Sequence, residues 1–116
     1  MDCVFCKIAR KQIPAEIVYE DEDVLAFCDL HPIAPIHVLV IPKKHIASVA
    51  DISKNDVPLV GKIVFTAKKI AQDLKIAKKG YKLLFRVGQH GGQEVEHMHL
   101  HLIGGAKLSE DIHPIS

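Results

Sequence analysis

His97-Met98-His99-Leu100-His101-Leu102-Ile103 sets three imidazoles two residues apart, with an apolar residue in each gap. The alternation is that of a β-strand, whose successive side chains point to opposite faces. His97, His99 and His101 then share one face, while Met98, Leu100 and Leu102 share the other. Imidazoles about 7 Å apart along a strand are costly if buried without partners, and a solvated face more often mixes Lys, Thr and Glu. Two chemical uses remain. Alternate histidines can chelate a cation such as zinc, given further ligands. Alternatively, an imidazole titrating near neutrality attacks as a free base and departs as a good leaving group.

The loop just before the row, Gly88-Gln89-His90-Gly91-Gly92-Gln93, brings glycines and amides beside the histidines. Glycines let backbone N–H groups approach an anion closely, which suits a phosphate held over the histidine face. Ahead of it, Tyr81–Val87 reads as a strand, stopped off from the preceding helix by Gly80. That helix spans roughly 54–76: Ser53-Lys54-Asn55-Asp56 resembles a capping box, and Val57, Val60, Ile63, Val64, Ala67, Ile70, Ala71 and Leu74 recur at helical spacing. Its Lys62, Lys68 and Lys69 read as a solvated face.

Toward the N-terminus, His37–Ile41 is almost wholly apolar and reads as a central strand covered on both sides, ended by Pro42. Val24–Cys28 and Ile17–Tyr19 read as a hairpin around the acidic turn Glu20–Asp23, and residues 3–10 as a short helix. Val95–Ile103 completes the set as the last strand, ended by Gly104-Gly105. Five strands, one long helix and one short helix predict an α+β fold around a mostly antiparallel sheet.

The 116 residues fit one domain, and 48% hydrophobic content suffices for one core. Fifteen basic against 14 acidic side chains leave a net charge of +1, without the basic excess of a protein living on nucleic-acid backbones. No apolar run approaches the length of a membrane span. Met1-Asp2-Cys3-Val4-Phe5-Cys6-Lys7 has no apolar signal core, so a cytoplasmic location is expected. Three cysteines do not build a disulfide framework. Cys3-Val4-Phe5-Cys6 lacks the βαβ context of a redox pair; as a zinc site it needs two more ligands, for which His45 and His97 are candidates. As small hydrophobes the two cysteines need no metal at all. Asp29, between strand and loop, caps the loop backbone on its own reading and could also take ribose hydroxyls.

The row His97–Ile103 fits His-φ-His-φ-His-φ-φ, with φ apolar, and resembles the histidine triad (HIT) superfamily of nucleotide hydrolases and transferases. Phe5-Cys6-Lys7-Ile8, Ile13-Pro14-Ala15, Ala26–Leu30, Ala34–Ile46, Gly80-Tyr81, Gly91–Val95 and Gly104-Gly105 resemble its Hint branch in the same order, so the likeness covers roughly residues 3–105 and leaves 106–116 as a tail. The resemblance implies a HIT-like fold that dimerises into one continuous sheet. It implies purine nucleoside 5′-monophosphates joined to amines as substrates, and no catalytic cofactor. By position, His99 would be the nucleophile, His101 would contact the phosphate and help protonate the amine, and His37 would orient the row. Gly92, Gln93 and Glu94 match the phosphate-side loop. Asp29 matches the ribose carboxylate, and Leu30, Phe27, Ile8 and Ile13 match the base pocket. Cys3, Cys6, His45 and His97 fill the positions of a structural zinc site found in some members.

Three features depart from the branch. Arg86 stands where an asparagine near ribose and phosphate is usual, so that a guanidinium there would strengthen phosphate binding or turn away. Glu96 replaces an aromatic, and the tail carries none. The alternatives are a dinucleoside polyphosphate hydrolase, and a zinc-stabilised nucleotide-binding or interaction module with incidental turnover.

Overall fold

Strand formers separated by turns assemble into one five-stranded sheet of order β1-β2-β3-β5-β4, every pair antiparallel. The structure is a computed structural model and describes residues 3–115. Its elements are α1 (Val4–Ala9), β1 (Ile17–Glu20), β2 (Val24–Cys28), β3 (Ile36–Pro42), α2 (Val57–Asp73), β4 (Lys82–Phe85) and β5 (Leu100–Gly104). Two single 3₁₀ turns, Val49–Asp51 and Lys54–Asp56, lead into α2. No helix among the described residues is long and apolar enough to cross a membrane.

Both faces of the sheet are covered, which explains the unbroken apolar run of β3. Val24, Ala26, Val38, Val40, Leu100 and Leu102 pack against Ile63, Ala67, Ile70 and Ala71 of α2, with Met98 beside them. Leu25, Phe27, Leu39 and Ile41 pack instead against Phe5 and Ile8 of α1. The helical spacing of α2 thus matches its buried stripe. The expected cap is present, with the Asp56 carboxylate accepting the Ser53 backbone N–H at 2.9 Å. The regular helix, however, runs from Val57 to Asp73 rather than over 54–76: its first turn is 3₁₀, and Lys75 in a left-handed conformation (φ 63°) stops it. Lys62 is also less free than its place on a solvated face suggests, since it pairs with Asp21 and Asp23 of the β1–β2 turn.

The main correction concerns the last strand. It begins at Leu100, not Val95, so His97 and His99 lie in the irregular segment that enters β5. The ladder stops there for a physical reason. On one side β4 ends at Phe85, opposite Leu100; on the other β3 runs on past Val40 to Pro42, but Pro42 has no N–H to donate and its carbonyl accepts the His97 ring N–H. That segment satisfies its backbone elsewhere: the Met98 N–H donates to Ile46 O at 2.6 Å, and the Gln93 amide donates to Val95 O at 2.9 Å. The facing of the side chains survives. Met98, Leu100 and Leu102 enter the α2 core, and the three histidines lie on the α1 side.

Leu102 is fully buried at the centre of the larger core. Leu102→Ala should lower the unfolding free energy by about 2–5 kcal/mol. Chemical denaturation with an unchanged m-value would register it as a pure stability loss.

Candidate active site

Two imidazoles of opposite hydrogen-bonding character meet at the floor of a cavity. β5 places His101 opposite Leu39 and Leu84, and β3 places His37 two register positions away, opposite Ile103. The Ile33 backbone N–H donates to His37 Nδ1 at 3.2 Å. A backbone N–H is always a donor, so Nδ1 accepts and the His37 proton sits on Nε2. That proton points at His101 Nδ1, 2.9 Å away, which leaves the His101 proton on Nε2. His101 Nε2 is buried and has no hydrogen-bond partner among the described residues. It is a buried donor on a residue that lines the cavity.

His99 is set the other way round. Its Nδ1 lies 2.7 Å from the His97 carbonyl oxygen, which can only accept. The proton is therefore on Nδ1 and the lone pair on Nε2. The His99 and His101 rings lie 4.9 Å apart. Burial, more than any neighbouring charge, lowers the pKa of His37 and His99 and pushes His101 down to about 4. All three are neutral near pH 7, as a free-base nucleophile and an N–H donor must be.

The cavity above them holds ≈ 320 Å³ and is mostly apolar. Among the expected residues, Ile8, Ile13, Phe27, Asp29, Leu30, Arg86, Gly92, Glu94, His99 and His101 line it. Leu30 is 85% exposed and so forms rim rather than wall. His37 stands behind His101, within 3.4 Å of Asp29 Oδ2. The other oxygen of Asp29 accepts the His31 backbone N–H at 2.9 Å, the loop cap that its position suggests. Gln93 does not line this cavity. Its amide donates to Ala47 O and Val95 O, and its carbonyl accepts the Gly88 N–H, so its side chain clamps the glycine loop. A Cβ at Gly91 would collide with the Val87 carbonyl, and Gly92 has φ 80°; only glycine fits both demands of this turn. Phe5 is a wall residue that the sequence did not single out. It meets Phe27 and His99 edge-on, at centroid distances of 5.3 and 5.0 Å. The signal was only its place one residue before Cys6.

Beside the cavity lies a second cluster. The ligand atoms of Cys3, Cys6, His45 and His97 all fall within 4.8 Å of one another. His97 Nε2 donates to Pro42 O at 2.8 Å, which turns the Nδ1 lone pair toward Cys3 Sγ (3.3 Å), Cys6 Sγ (3.5 Å) and His45 Nδ1 (3.2 Å). A zinc tetrahedron has N···N edges of about 3.3 Å and S···N edges of about 3.6 Å, so this donor set can hold a metal. The Cys6 thiol is pushed up by burial and by the neighbouring Cys3, which disfavours two bare thiolates side by side.

The profile of the family described as "Scavenger mRNA decapping enzyme C-term binding" matches residues 2–112. The chain is 45% identical over 107 residues to a purine nucleoside phosphoramidase of Escherichia coli (strain K12), covering 92% of this chain and 90% of that protein. It shows the same identity to an uncharacterized HIT-like protein of Buchnera aphidicola, covering 92% of this chain and 96% of that one. A crystal structure titled as a HIT family hydrolase from Legionella pneumophila superposes with a TM-score of 0.93 at 49% identity, over 95% of this chain and 98% of the other.

The chain belongs to the histidine triad (HIT) family.

Within this HIT chain the name describes the side chains better than the strand. Only His101 of the triad lies in β5, and His97 faces the metal cluster. The depressed value of His101 has a consequence for stability. Unfolded, the imidazole protonates at its ordinary 6.5; folded, it stays neutral down to about 4. Between these values the native state binds fewer protons than the unfolded one, so stability is lost as pH falls through that window. Urea midpoints measured across it should decline steadily, and His101→Asn should flatten the decline.

Proposed function

We propose that this HIT protein hydrolyses the P–N bond of purine nucleoside 5′-phosphoramidates through a nucleotidyl-His99 intermediate. The observation that carries the reading is the opposed pair on the cavity floor: a free Nε2 lone pair on His99 and an unpartnered Nε2–H on His101, with ring centroids 4.9 Å apart. The E. coli relative named a purine nucleoside phosphoramidase supports it.

In the first step His99 Nε2 attacks the α-phosphorus. The P–N bond to the amine breaks as the new P–Nε2 bond forms; the departing nitrogen carries a proton taken up from solvent, so the amine leaves neutral, and His101 Nε2–H steadies it by donating a hydrogen bond. The His99 ring becomes cationic, and its Nδ1–H already points at the His97 carbonyl oxygen, whose partial negative charge stabilises that cation. In the second step water attacks the phosphorus, the P–Nε2 bond breaks, and the proton released by water goes back to solvent, restoring the one taken up in the first step. The nucleoside monophosphate leaves with His99 again a free base. Ile8, Ile13, Phe27 and Leu30 offer an apolar slot for the base, and Asp29 a carboxylate for the ribose hydroxyls. Gly92 and Glu94 close the cavity on the phosphate side, and Gln93 fixes the loop that carries them.

Cys3, Cys6, His45 and His97 would hold a structural zinc ion. With four protein ligands it offers no open position, so it supplies a cross-link between the start of α1, the segment after β3 and the entry to β5. We also assign the homodimer to the free edge of β4. The other edge strand, β1, is interrupted by a bulge and screened by the ion pairs of Glu20 with Lys11 and Lys43, devices that discourage pairing. β4 has a regular register and lies beside the exposed Val87.

Release of AMP from adenosine 5′-phosphoramidate tests the reading. His99→Ala should lower kcat by about a thousandfold or more while AMP still binds. His101→Ala should lower it by about 10²–10⁴. Equal rates for wild type and His99→Ala would overturn the mechanism, and wild type that cleaves only dinucleoside polyphosphates would move the chain to that class. Metal analysis should find one zinc per chain, lost in Cys3→Ser together with part of the thermal stability.

A further inference from the structure

Arg86 directly follows β4 and is half-buried, yet among the described residues its guanidinium makes no ion pair. It has not turned away into solvent. The glycine loop folds over its stem: the position of a Cβ on Gly92 lies 3.8 Å from Arg86 Cδ and 3.7 Å from Nη1. The side chain is thereby held at a partition. On one side is the cavity of His99 and His101; on the other is a second, open cavity of ≈ 770 Å³ between the glycine loop and residues Asp111–Ile115 of the tail. Arg86 and Gly92 are the residues that line both.

This arrangement sorts the parts of a substrate. The apolar slot of Ile8, Ile13 and Phe27 takes the nucleoside, and a group attached beyond the α-phosphorus has a path past Arg86 and Gly92 into the second cavity. Arg86 is the one always-charged cation there. His90 and His113 add imidazole donors, and Asp111 is the one carboxylate. Asp111 is exposed on the tail, where water and salt screen it, whereas Arg86 is half-buried and its field is less screened. Glu94 lines the first cavity but not the second and is itself exposed, so the balance inside the second cavity is positive.

We infer that Arg86 is a specificity-determining residue, and that the second cavity takes a leaving amine bearing an anionic group, such as the free carboxylate of an amino acid joined through its nitrogen to the nucleotide. The guanidinium fork matches a carboxylate in shape as well as charge. The inference rests on the P–N hydrolase reading and adds the class of amine to it.

AMP joined through nitrogen to L-alanine and AMP joined to L-alaninamide differ by one charge at the end of the leaving group. Wild type should favour the carboxylate by about tenfold or more in kcat/KM. Arg86→Met, which keeps much of the stem, should bring the ratio near one, and Arg86→Lys should recover part of it. A contact made only to the α-phosphate would lower both substrates equally, and an unchanged ratio in Arg86→Met would therefore overturn the inference. So would a wild type that prefers the amide. The same ratio in Kd, measured on His99→Ala with and without Arg86→Met, needs no turnover. If wild type cleaves neither compound but the Kd ratio depends on Arg86, the hydrolase reading fails and the anion site stands. If the Kd ratio is near one with Arg86 present, the anion site fails whatever the turnover. Melting temperatures of the Arg86 variants close to wild type exclude misfolding as the cause of a lost ratio.

Discussion

The Ile33 backbone N–H, the two rings of His37 and His101, and the 3.2 and 2.9 Å hydrogen bonds joining them form a one-way chain. Its first member cannot reverse roles, so each later ring has its proton assigned for it. A separate backbone group, the His97 carbonyl, assigns His99 the opposite tautomer. Without these two anchors the imidazoles would interconvert between tautomers, and only a fraction of molecules would hold a lone pair and an N–H in the working arrangement. Burial completes the effect by lowering all three pKa values, since charging a ring in this apolar surrounding is unfavourable. The chemistry depends on neutral rings, and the fold supplies neutrality by desolvation and orientation by backbone.

His97 explains why the strand stops short. A ladder continued back to residue 95 would commit the His97 carbonyl to strand pairing or leave it in a fixed pleat. Released from the sheet, the carbonyl accepts the His99 Nδ1–H, the His97 Nε2–H reaches Pro42 O, and His97 Nδ1 faces the cysteines. One residue thus joins the Cys3–Cys6–His45–His97 cluster to the His99 ring. A metal held by Nδ1 would fix the ring and, through it, the backbone oxygen on which the His99 tautomer depends. The role is structural, but it acts one bond from the chemistry.

Much of this was legible in the residues. Alternation alone separated Met98, Leu100 and Leu102 from the histidines, and the helical spacing of Ile63, Ala67, Ile70 and Ala71 named the stripe that packs on them. The apolar run of β3 announced a strand covered on both faces, and α1 and α2 are those covers. Strand length was not legible, because it depends on where β4 stops and on Pro42 at the end of β3, and alternation continues past the last ladder partner. The partners of Cys3 and Cys6 were not fixed by their spacing, since His45 and His97 are brought to them by the sheet. Phe5 could not be told from an ordinary core residue, and Gln93 could not be told from a ligand-facing amide. Both distinctions are tertiary.

Arg86 shows how a local substitution acquires meaning from its setting. A long cation after an edge strand normally extends into water, where its charge is screened and costs nothing. Here Gly92 covers the stem and the strand end fixes its root, so the guanidinium stays where the sheet, the loop and the tail converge. Its field also helps to lower the pKa of His37, His99 and His101, after burial. One side chain therefore adds to the burial that keeps His37, His99 and His101 uncharged and offers a positive face to the second cavity. These two effects reinforce each other: a neutral triad adds no competing charge, so an incoming anion is drawn to the guanidinium and the nucleophile is left free to react.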